Sequence, residues 1–174
     1  MSKGFTLIEL LVVITVIGMV STVMVLSWRQ GQDSLALQRA TQKLAQDIRR
    51  ASELALRAQT DVSQLESPCG SGSITGYGIS FPSVPAESYV LFGDCDGSRT
   101  YEAGTDAVLR TVFLEQKTTV IESPFSVMFT PPEPKVYVNG FEMTVGSAEI
   151  TLQSGEEGDT RIITVYPTGT IEVQ

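Results

Sequence analysis

One carboxylate stands in the longest apolar run of the chain, and it has the clearest chemical requirement of any residue. Residues 5–26 are largely apolar, with Glu9 as the single charged residue among them. About 20 such residues are enough for a helix to cross a bilayer core. A charged side chain is costly there and requires a cationic partner. Cleavage after Gly4 would supply one, because it would free the amine of Phe5 on the same chain or on a neighbour.

The leader before this run does not have the pattern of a secretory signal peptide. Such a peptide has an apolar region of about 7–15 residues that is followed by a small-residue cleavage site. Here the apolar run is longer, and residues 27–30 (Ser-Trp-Arg-Gln) make a poor cleavage site. The best small residue for cleavage is Gly4, which precedes the run. Processing there would leave the apolar segment on the mature protein.

Cys69 and Cys95 are the only cysteines, and both lie in turn-rich segments of the part that would be exported. Two cysteines in an oxidising compartment favour a disulfide bond over two free thiols. Closing this loop would stabilise the fold by about 3 kcal/mol in the chain-entropy model. We therefore predict a bond between these two cysteines. It would tie the start of the C-terminal part of the chain, residues 61–174, to the loop after its second predicted strand, Ser88–Phe92.

An oxygen-rich segment around the second cysteine is the one candidate for a metal site. Its possible calcium ligands are Asp94, Asp96, Glu102 and Asp106. The match to an EF-hand is poor, because Gly97 stands at the fourth place instead of the sixth and the twelfth place has no Glu. An acidic turn is favoured over a calcium loop, and no cofactor is predicted.

Other catalytic patterns are absent from the sequence. The chain has no His, which excludes His-dependent triads and imidazole metal sites. It also lacks a P-loop, a nucleophile elbow and the spacing of a zinc site. We therefore predict that the protein is not an enzyme.

The N-terminal residues resemble a specific processing signal. The order Lys3-Gly4-Phe5-Thr6-Leu7-Ile8-Glu9 is similar to the class III signal of type IV pilins and type II secretion pseudopilins. The resemblance implies cleavage after Gly4 by a prepilin peptidase, which also N-methylates Phe5. It further implies that Glu9 pairs with the N-terminal amine of a neighbouring subunit during filament assembly.

The helix that begins here is predicted to continue far beyond the apolar run. No Pro occurs before Pro68, and Gly31 is the only Gly between residues 28 and 60. One helix from about Phe5 to Thr60 would be about 80 Å long at 1.5 Å per residue. Alternating steps of four and three residues predict one buried face. That face comprises Leu37, Thr41, Leu44, Ile48, Ala51, Ala55 and Ala58.

Charge is distributed unevenly along the chain, whose net charge is −8. Residues 29–60 contain six basic and three acidic residues, whereas residues 61–174 contain five basic and sixteen acidic residues. A basic stalk therefore carries an acidic head. In a filament, the stalk of one subunit could lie against acidic surfaces of others. The acidic head also predicts no binding of nucleic acid, which requires exposed Arg and Lys.

Two ion pairs are predicted within the stalk. Asp47 with Arg50, and Glu53 with Arg57, have the spacing of helical neighbours. Both pairs are expected on more exposed faces of the helix.

The remaining residues have the pattern of short antiparallel strands after a turn-rich linker. Val, Ile, Thr, Phe and Tyr are grouped in short runs that Gly, Pro, Asn and Asp separate. A long helix followed by an antiparallel β-sheet head is an α+β arrangement. The predicted strands are Tyr77–Phe81, Ser88–Phe92, Val108–Leu114, Thr118–Ile121, Phe125–Thr130, Lys135–Val138, Ala148–Gln153, Arg161–Tyr166 and Thr170–Val173.

The head also resembles the FimT/GspH-type minor pilins and pseudopilins. The similarity rests on residues 104–110, 125–131, 148–152, 161–165 and 169–171. With the N-terminal signal, it implies a structural subunit of a type II secretion pseudopilus or a type IV pilus. The domains would be a leader (1–4), a transmembrane helix (5–28), its amphipathic continuation (29–60) and the β head (61–174).

The same resemblance implies a place in the cell and a set of partners. The protein would be a single-pass protein of the inner (cytoplasmic) membrane, with Lys3 on the cytoplasmic side and the head in the periplasm or outside the cell. Its partners would be other pilin or pseudopilin subunits, the prepilin peptidase, an inner-membrane assembly platform and, before assembly, the lipid bilayer. Two alternatives are a type IV minor pilin whose head binds a surface or DNA, and an anchored β domain that never assembles.

Overall fold

The structure is a computed structural model that describes residues 6–57, 69, 74–115, 117–131, 135–155 and 158–174, with backbone only at residues 23 and 25–31. One helix, α1, extends from Leu7 to Leu56. Its 50 residues span about 75 Å at 1.5 Å per residue. The prediction of one continuous helix is confirmed, but the helix ends at Leu56, with Arg57 as its C-cap, and not at the predicted Thr60. The predicted first residue, Phe5, lies outside the described residues.

The predicted buried face of the helix is confirmed. Its members from Leu37 to Ala55 are buried, and Ala58 lies outside the described residues. The prediction that Asp47 lies on an exposed face and pairs with Arg50 is wrong. The Asp47 side chain is buried, and its partners, Tyr89 and Arg110, are in the head. Glu53 and Arg57 do form the predicted pair, with their charged atoms 4.0 Å apart on the exposed surface.

In the described part of the chain, the strands form two antiparallel sheets. The first sheet has the strand order β3-β2-β1-β5-β6-β7, and the second has the order β10-β9-β8-β4. The strands are β1 (Gly76–Ser80), β2 (Ser88–Asp94), β3 (Ala107–Phe113), β4 (Thr118–Glu122), β5 (Ser126–Thr130), β6 (Lys135–Val138), β7 (Phe141–Glu142), β8 (Ala148–Ser154), β9 (Thr160–Val165) and β10 (Ile171–Val173).

All the predicted strands are present, with ends that differ by at most two residues. The sequence reading missed β7, because two residues give too short a pattern to detect. This strand follows a tight turn at Asn139 and Gly140, which both have positive φ. That backbone shape suits a two-residue hairpin loop.

The second half of α1, in which the buried residues run from Leu37 to Ala55, packs on both sheets and forms the main core with them. It contacts β1 and β5 of the first sheet and all four strands of the second. Leu44 and Ile48 of the helix belong to one buried cluster with Ile79, Phe129 and Ile150 of the strands. Because burial of such a side chain stabilises by about 1.5–3 kcal/mol, the head is firmly attached to this half of the helix.

Candidate functional site

The start of α1 presents the carboxylate that the sequence singles out. Thr6 is the N-cap residue, and its Oγ1 accepts a hydrogen bond from the Glu9 N–H at 3.4 Å. In return, Oε2 of Glu9 accepts from the Thr6 N–H at 3.5 Å. This reciprocal arrangement is a capping box. It turns the carboxylate of Glu9 back towards the beginning of the chain, where the positive end of the helix dipole favours a negative charge.

The sequence reading did not identify this capping box, although its signal is visible. A Thr followed three residues later by Glu, ahead of an apolar run, is the usual pattern. Gly4 and Phe5, the predicted processing residues, lie outside the described residues.

The first half of α1 exposes apolar side chains on all sides. Leu7 is 82% exposed and Met24 is 68% exposed, and the described large apolar residues between them are 47–72% exposed. Continuous apolar surface of this size marks a region that binds another protein or a membrane. Among the side chains that the structure describes, no helix combines the length and apolarity needed to cross a membrane. The predicted transmembrane span, residues 5–28, includes one residue outside the described ones, Phe5, and several of which only the backbone is described.

A buried polar group joins the helix to the head. The hydroxyl of Tyr89 on β2 donates to Oδ2 of Asp47 at 2.7 Å, and Nη1 of Arg110 on β3 lies 3.9 Å from Oδ1 of the same carboxylate. Burial, and then the Asp47 carboxylate, raise the pKa of the Tyr89 phenol above its ordinary value. Tyr89 therefore stays protonated and donates to a carboxylate that has little access to water.

A disulfide bond joins Cys69 to Cys95, as predicted, with the two Cα atoms 5.3 Å apart. The bond closes a loop between residues 26 positions apart in the sequence. It thus connects the segment ahead of β1 to the loop that follows β2.

The oxygen-rich segment brings together three of its four candidate ligands. Asp94, Asp96 and Asp106 each place one carboxylate oxygen within 4.8 Å of the others; we call these three residues the aspartate cluster. The carboxylate of Glu102 does not belong to this group. Its backbone N–H instead donates to Oδ2 of Asp106 at 2.7 Å.

Asp94 organises the loop by accepting hydrogen bonds on both oxygens. Oδ1 accepts from the N–H groups of Asp96 at 3.2 Å and Gly97 at 2.8 Å. Oδ2 accepts from the Thr75 hydroxyl at 2.8 Å and the Arg99 N–H at 3.2 Å. This buried carboxylate therefore acts as the acceptor around which an acidic turn folds.

The other two carboxylates of the aspartate cluster differ in their proton affinity. Burial raises the pKa of Asp106, and the charges of Asp94 and Asp96 act in the same direction against its backbone hydrogen bonds. The hydrogen bond from the Ser98 N–H to Asp96, at 2.9 Å, lowers the pKa of that exposed carboxyl. Asp96 and Asp106 each accept hydrogen bonds from backbone N–H groups of the loop and thereby hold it closed.

Comparison with protein families gives two matches that cover different parts of the chain. Residues 1–25 match the prokaryotic N-terminal methylation motif. Residues 40–169, which include α1 from Ala40 to its end and nearly all of the head, match the type II transport protein GspH. No curated protein and no solved structure matches the chain.

Proposed function

Because the chain belongs to the GspH family of type II transport proteins, we propose that it is a minor pseudopilin of a type II secretion system. The two family matches support a pilin-like structural subunit that assembles with other pilin or pseudopilin subunits. The finer proposal is that a prepilin peptidase cuts after Gly4 and methylates Phe5, and that the N-terminal helix then enters the filament core.

The observation that carries this proposal is the division of α1 into two halves. The second half is buried against both sheets, whereas the first half is apolar and exposed on all sides. Neighbouring helices in a filament would cover this surface, and lipid would cover it before assembly. We propose that the protein waits in the inner membrane with Lys3 on the cytoplasmic side. The head would then lie in an oxidising compartment, in keeping with the disulfide bond.

Glu9 supplies the chemical selectivity of assembly in this proposal. Its carboxylate already points towards the start of the chain, where it accepts from the Thr6 N–H. Cleavage after Gly4 would place a charged amine on the next residue, Phe5. The amine of an incoming or neighbouring subunit can then pair with the carboxylate away from water, where opposite charges attract strongly.

The proposal is tested first by sequencing the N-terminus of the protein isolated from membranes. We expect a chain that begins at N-methylated Phe5. An intact leader on the mature protein would overturn the proposal, as would cleavage after residues 27–30.

A second test separates the charge of Glu9 from its capping role. Glu9→Gln keeps a side-chain acceptor for the Thr6 N–H, because Gln also completes a capping box, but removes the charge. We expect Glu9→Gln and Glu9→Ala to be processed normally and both to be absent from the sheared filament fraction. Glu87→Gln, which removes one negative charge from an exposed position of the head, should assemble like the wild type. Normal assembly of Glu9→Gln would show that capping alone explains this residue.

A further inference from the structure

The outer face of the first sheet, which points away from α1, carries a buried cluster of its own. Phe92 of β2 and Met128 of β5 both pair with Gly78 of β1. Tyr137 of β6 pairs with Met128 in turn. Because paired residues lie on the same face of a sheet, these three large side chains point the same way. They are buried together, separately from the core that packs against α1.

The loop between β2 and β3, residues 95–106, covers this outer face. Tyr101 packs on Phe92 with the two ring centroids 5.3 Å apart. The guanidinium carbon of Arg99 lies 4.6 Å from the centroid of the Tyr137 ring. In the strand order β2-β1-β5-β6, Phe92 and Tyr137 are three strand spacings apart, about 14 Å. The loop therefore crosses the sheet from β2 to β6.

A cavity of about 220 Å³ lies between this loop and the sheet. Sites for drug-sized ligands are larger, about 300–1,000 Å³. The cavity is therefore of a size to hold one side chain or one small polar group. Its lining residues are Thr75, Asp94, Gly97, Arg99, Thr130 and Tyr137.

Arg99 is held at the cavity in a backbone conformation that is costly for its residue type. Its φ is 66°, a left-handed value that is uncommon outside glycine. Oδ2 of Asp94 stabilises this turn by accepting the Arg99 N–H at 3.2 Å. The Tyr137 ring covers one side of the guanidinium, so this cation is less free than an ordinary surface arginine. Backbone strain of this kind is concentrated at ligand sites.

The cavity offers hydrogen-bond donors that have no acceptor of their own. Within the residues that the structure describes, the Arg99 guanidinium makes no ion pair, and the hydroxyls of Thr130 and Tyr137 make no hydrogen bond. Tyr137 is only 5% exposed, and a tyrosine buried to that extent usually has a partner for its hydroxyl. Asp94, by contrast, already accepts four hydrogen bonds on its two oxygens. The charged group of the cavity that still lacks a partner is therefore the cation.

A carboxylate is the ligand that these groups fit. The guanidinium presents parallel N–H donors that match the two oxygens of a carboxylate. The hydroxyls of Thr130 and Tyr137 can donate to the same oxygens. A phosphate would bring more negative charge close to Asp94, and like charges repel strongly where water is scarce. The buried Asp94 thus favours a ligand that carries a single negative charge.

We propose that this cavity binds an acidic side chain, Asp or Glu, of a partner protein other than this chain. The carboxylate would lie between the Arg99 guanidinium and the Tyr137 hydroxyl, with the rest of the partner outside the loop. The site is on the face of the first sheet that points away from α1, so it stays open when lipid or neighbouring helices cover the apolar half of the helix. This binding role goes beyond the structural role and does not depend on it.

The test titrates the full chain, purified in a nonionic detergent, and follows the NMR signals of the Gly97 N–H and the Arg99 side chain. The main probe is the peptide acetyl-Gly-Glu-Gly-amide, and its matched control is acetyl-Gly-Gln-Gly-amide, which lacks the charge. Free propionate and inorganic phosphate are titrated separately. We expect saturable shifts with the Glu peptide, and binding at least about tenfold weaker for the Gln peptide and for phosphate.

Three variants assign the binding to the cavity. Arg99→Gln removes the cation, and Tyr137→Phe removes the hydroxyl but keeps the ring beneath Arg99. Arg161→Gln is the control, because it removes one exposed positive charge from the second sheet. Relative to the wild type, we expect binding of the Glu peptide to be at least about tenfold weaker in Arg99→Gln, about threefold weaker in Tyr137→Phe and unchanged in the control. Circular dichroism establishes that each variant is folded.

Several results would overturn the inference. One is the absence of saturable shifts in the wild type, and another is equal binding by Arg99→Gln or by the Gln peptide. An equal loss in Arg161→Gln would show that only long-range attraction to positive charge is at work. Tighter binding of phosphate would refute the ligand class. If propionate binds as tightly as the Glu peptide, the site takes a free carboxylate and the assignment to a partner protein is wrong.

Discussion

Removing one hydroxyl from Tyr89 should loosen the attachment of the helix to the head. The phenol donates to the buried Asp47 carboxylate at 2.7 Å, and a second partner of that carboxylate, Arg110, is 3.9 Å away. Tyr89→Phe keeps the ring but leaves Asp47, which is 6% exposed, without its shortest hydrogen bond. Hydrogen bonds to charged groups contribute about 1.5–3 kcal/mol. We therefore expect the free energy of unfolding to fall by about 2 kcal/mol.

The corresponding change in melting temperature is measurable. For a chain of this size, about 1 kcal/mol shifts the midpoint by roughly 2–4 °C, so Tyr89→Phe should melt roughly 4–8 °C below the wild type. Circular dichroism in the strand region would follow the head during heating. Urea titration of the same samples would give the free energy directly.

A matched control deletes the same chemical group at the surface. The Tyr166 hydroxyl donates to Oε2 of Glu172 at 3.2 Å, but both residues are accessible to water. Tyr166→Phe should change the free energy of unfolding by less than about 0.5 kcal/mol. If Tyr89→Phe costs no more than Tyr166→Phe, the reasoning that the buried carboxylate depends on Tyr89 is refuted.

The same pair predicts a dependence on alkaline pH. Because burial raises the pKa of Tyr89 above its ordinary value of 10.0, the folded state retains a proton that the unfolded state releases. This contribution to stability is fully present below pH 10.0 and is lost as the pH rises above it. Stability should therefore fall less steeply above that pH in Tyr89→Phe than in the wild type.

Three further outcomes are expected. Replacing Cys69 and Cys95 by Ser should lower the free energy of unfolding by about 3 kcal/mol, and intact mass should rise by two hydrogens when the wild type is reduced; free thiols in the native protein would contradict this. The melting temperature should be the same in calcium and in chelator, because backbone and hydroxyl donors already bind the buried carboxylate of Asp94; a calcium-dependent rise would show that the aspartate cluster binds the ion. Duplex DNA should not shift in a gel with the purified protein, since the head is acidic; a salt-sensitive shift would contradict that expectation.

Several features of this protein follow from short-range patterns in the sequence. The buried face from Leu37 to Ala55 is visible because helical periodicity repeats every three or four residues. The strands are visible because runs of β-branched and aromatic residues are separated by turn residues. The prominence of Glu9 needs no tertiary information, since it stands alone in an apolar run. The two cysteines also left a single possible disulfide pairing within one chain.

The tertiary structure decided which distant residues meet. Asp47 looks like a surface partner of Arg50 by spacing, but it is buried against Tyr89, 42 residues away, and approaches Arg110. The division of the strands into two sheets, and the β-bulge between Val120 and Glu122, depend on pairings between strands that are far apart in the chain. Local periodicity reports only how a segment fits its own backbone. Which segments pack together is determined by the burial that the whole chain achieves at once.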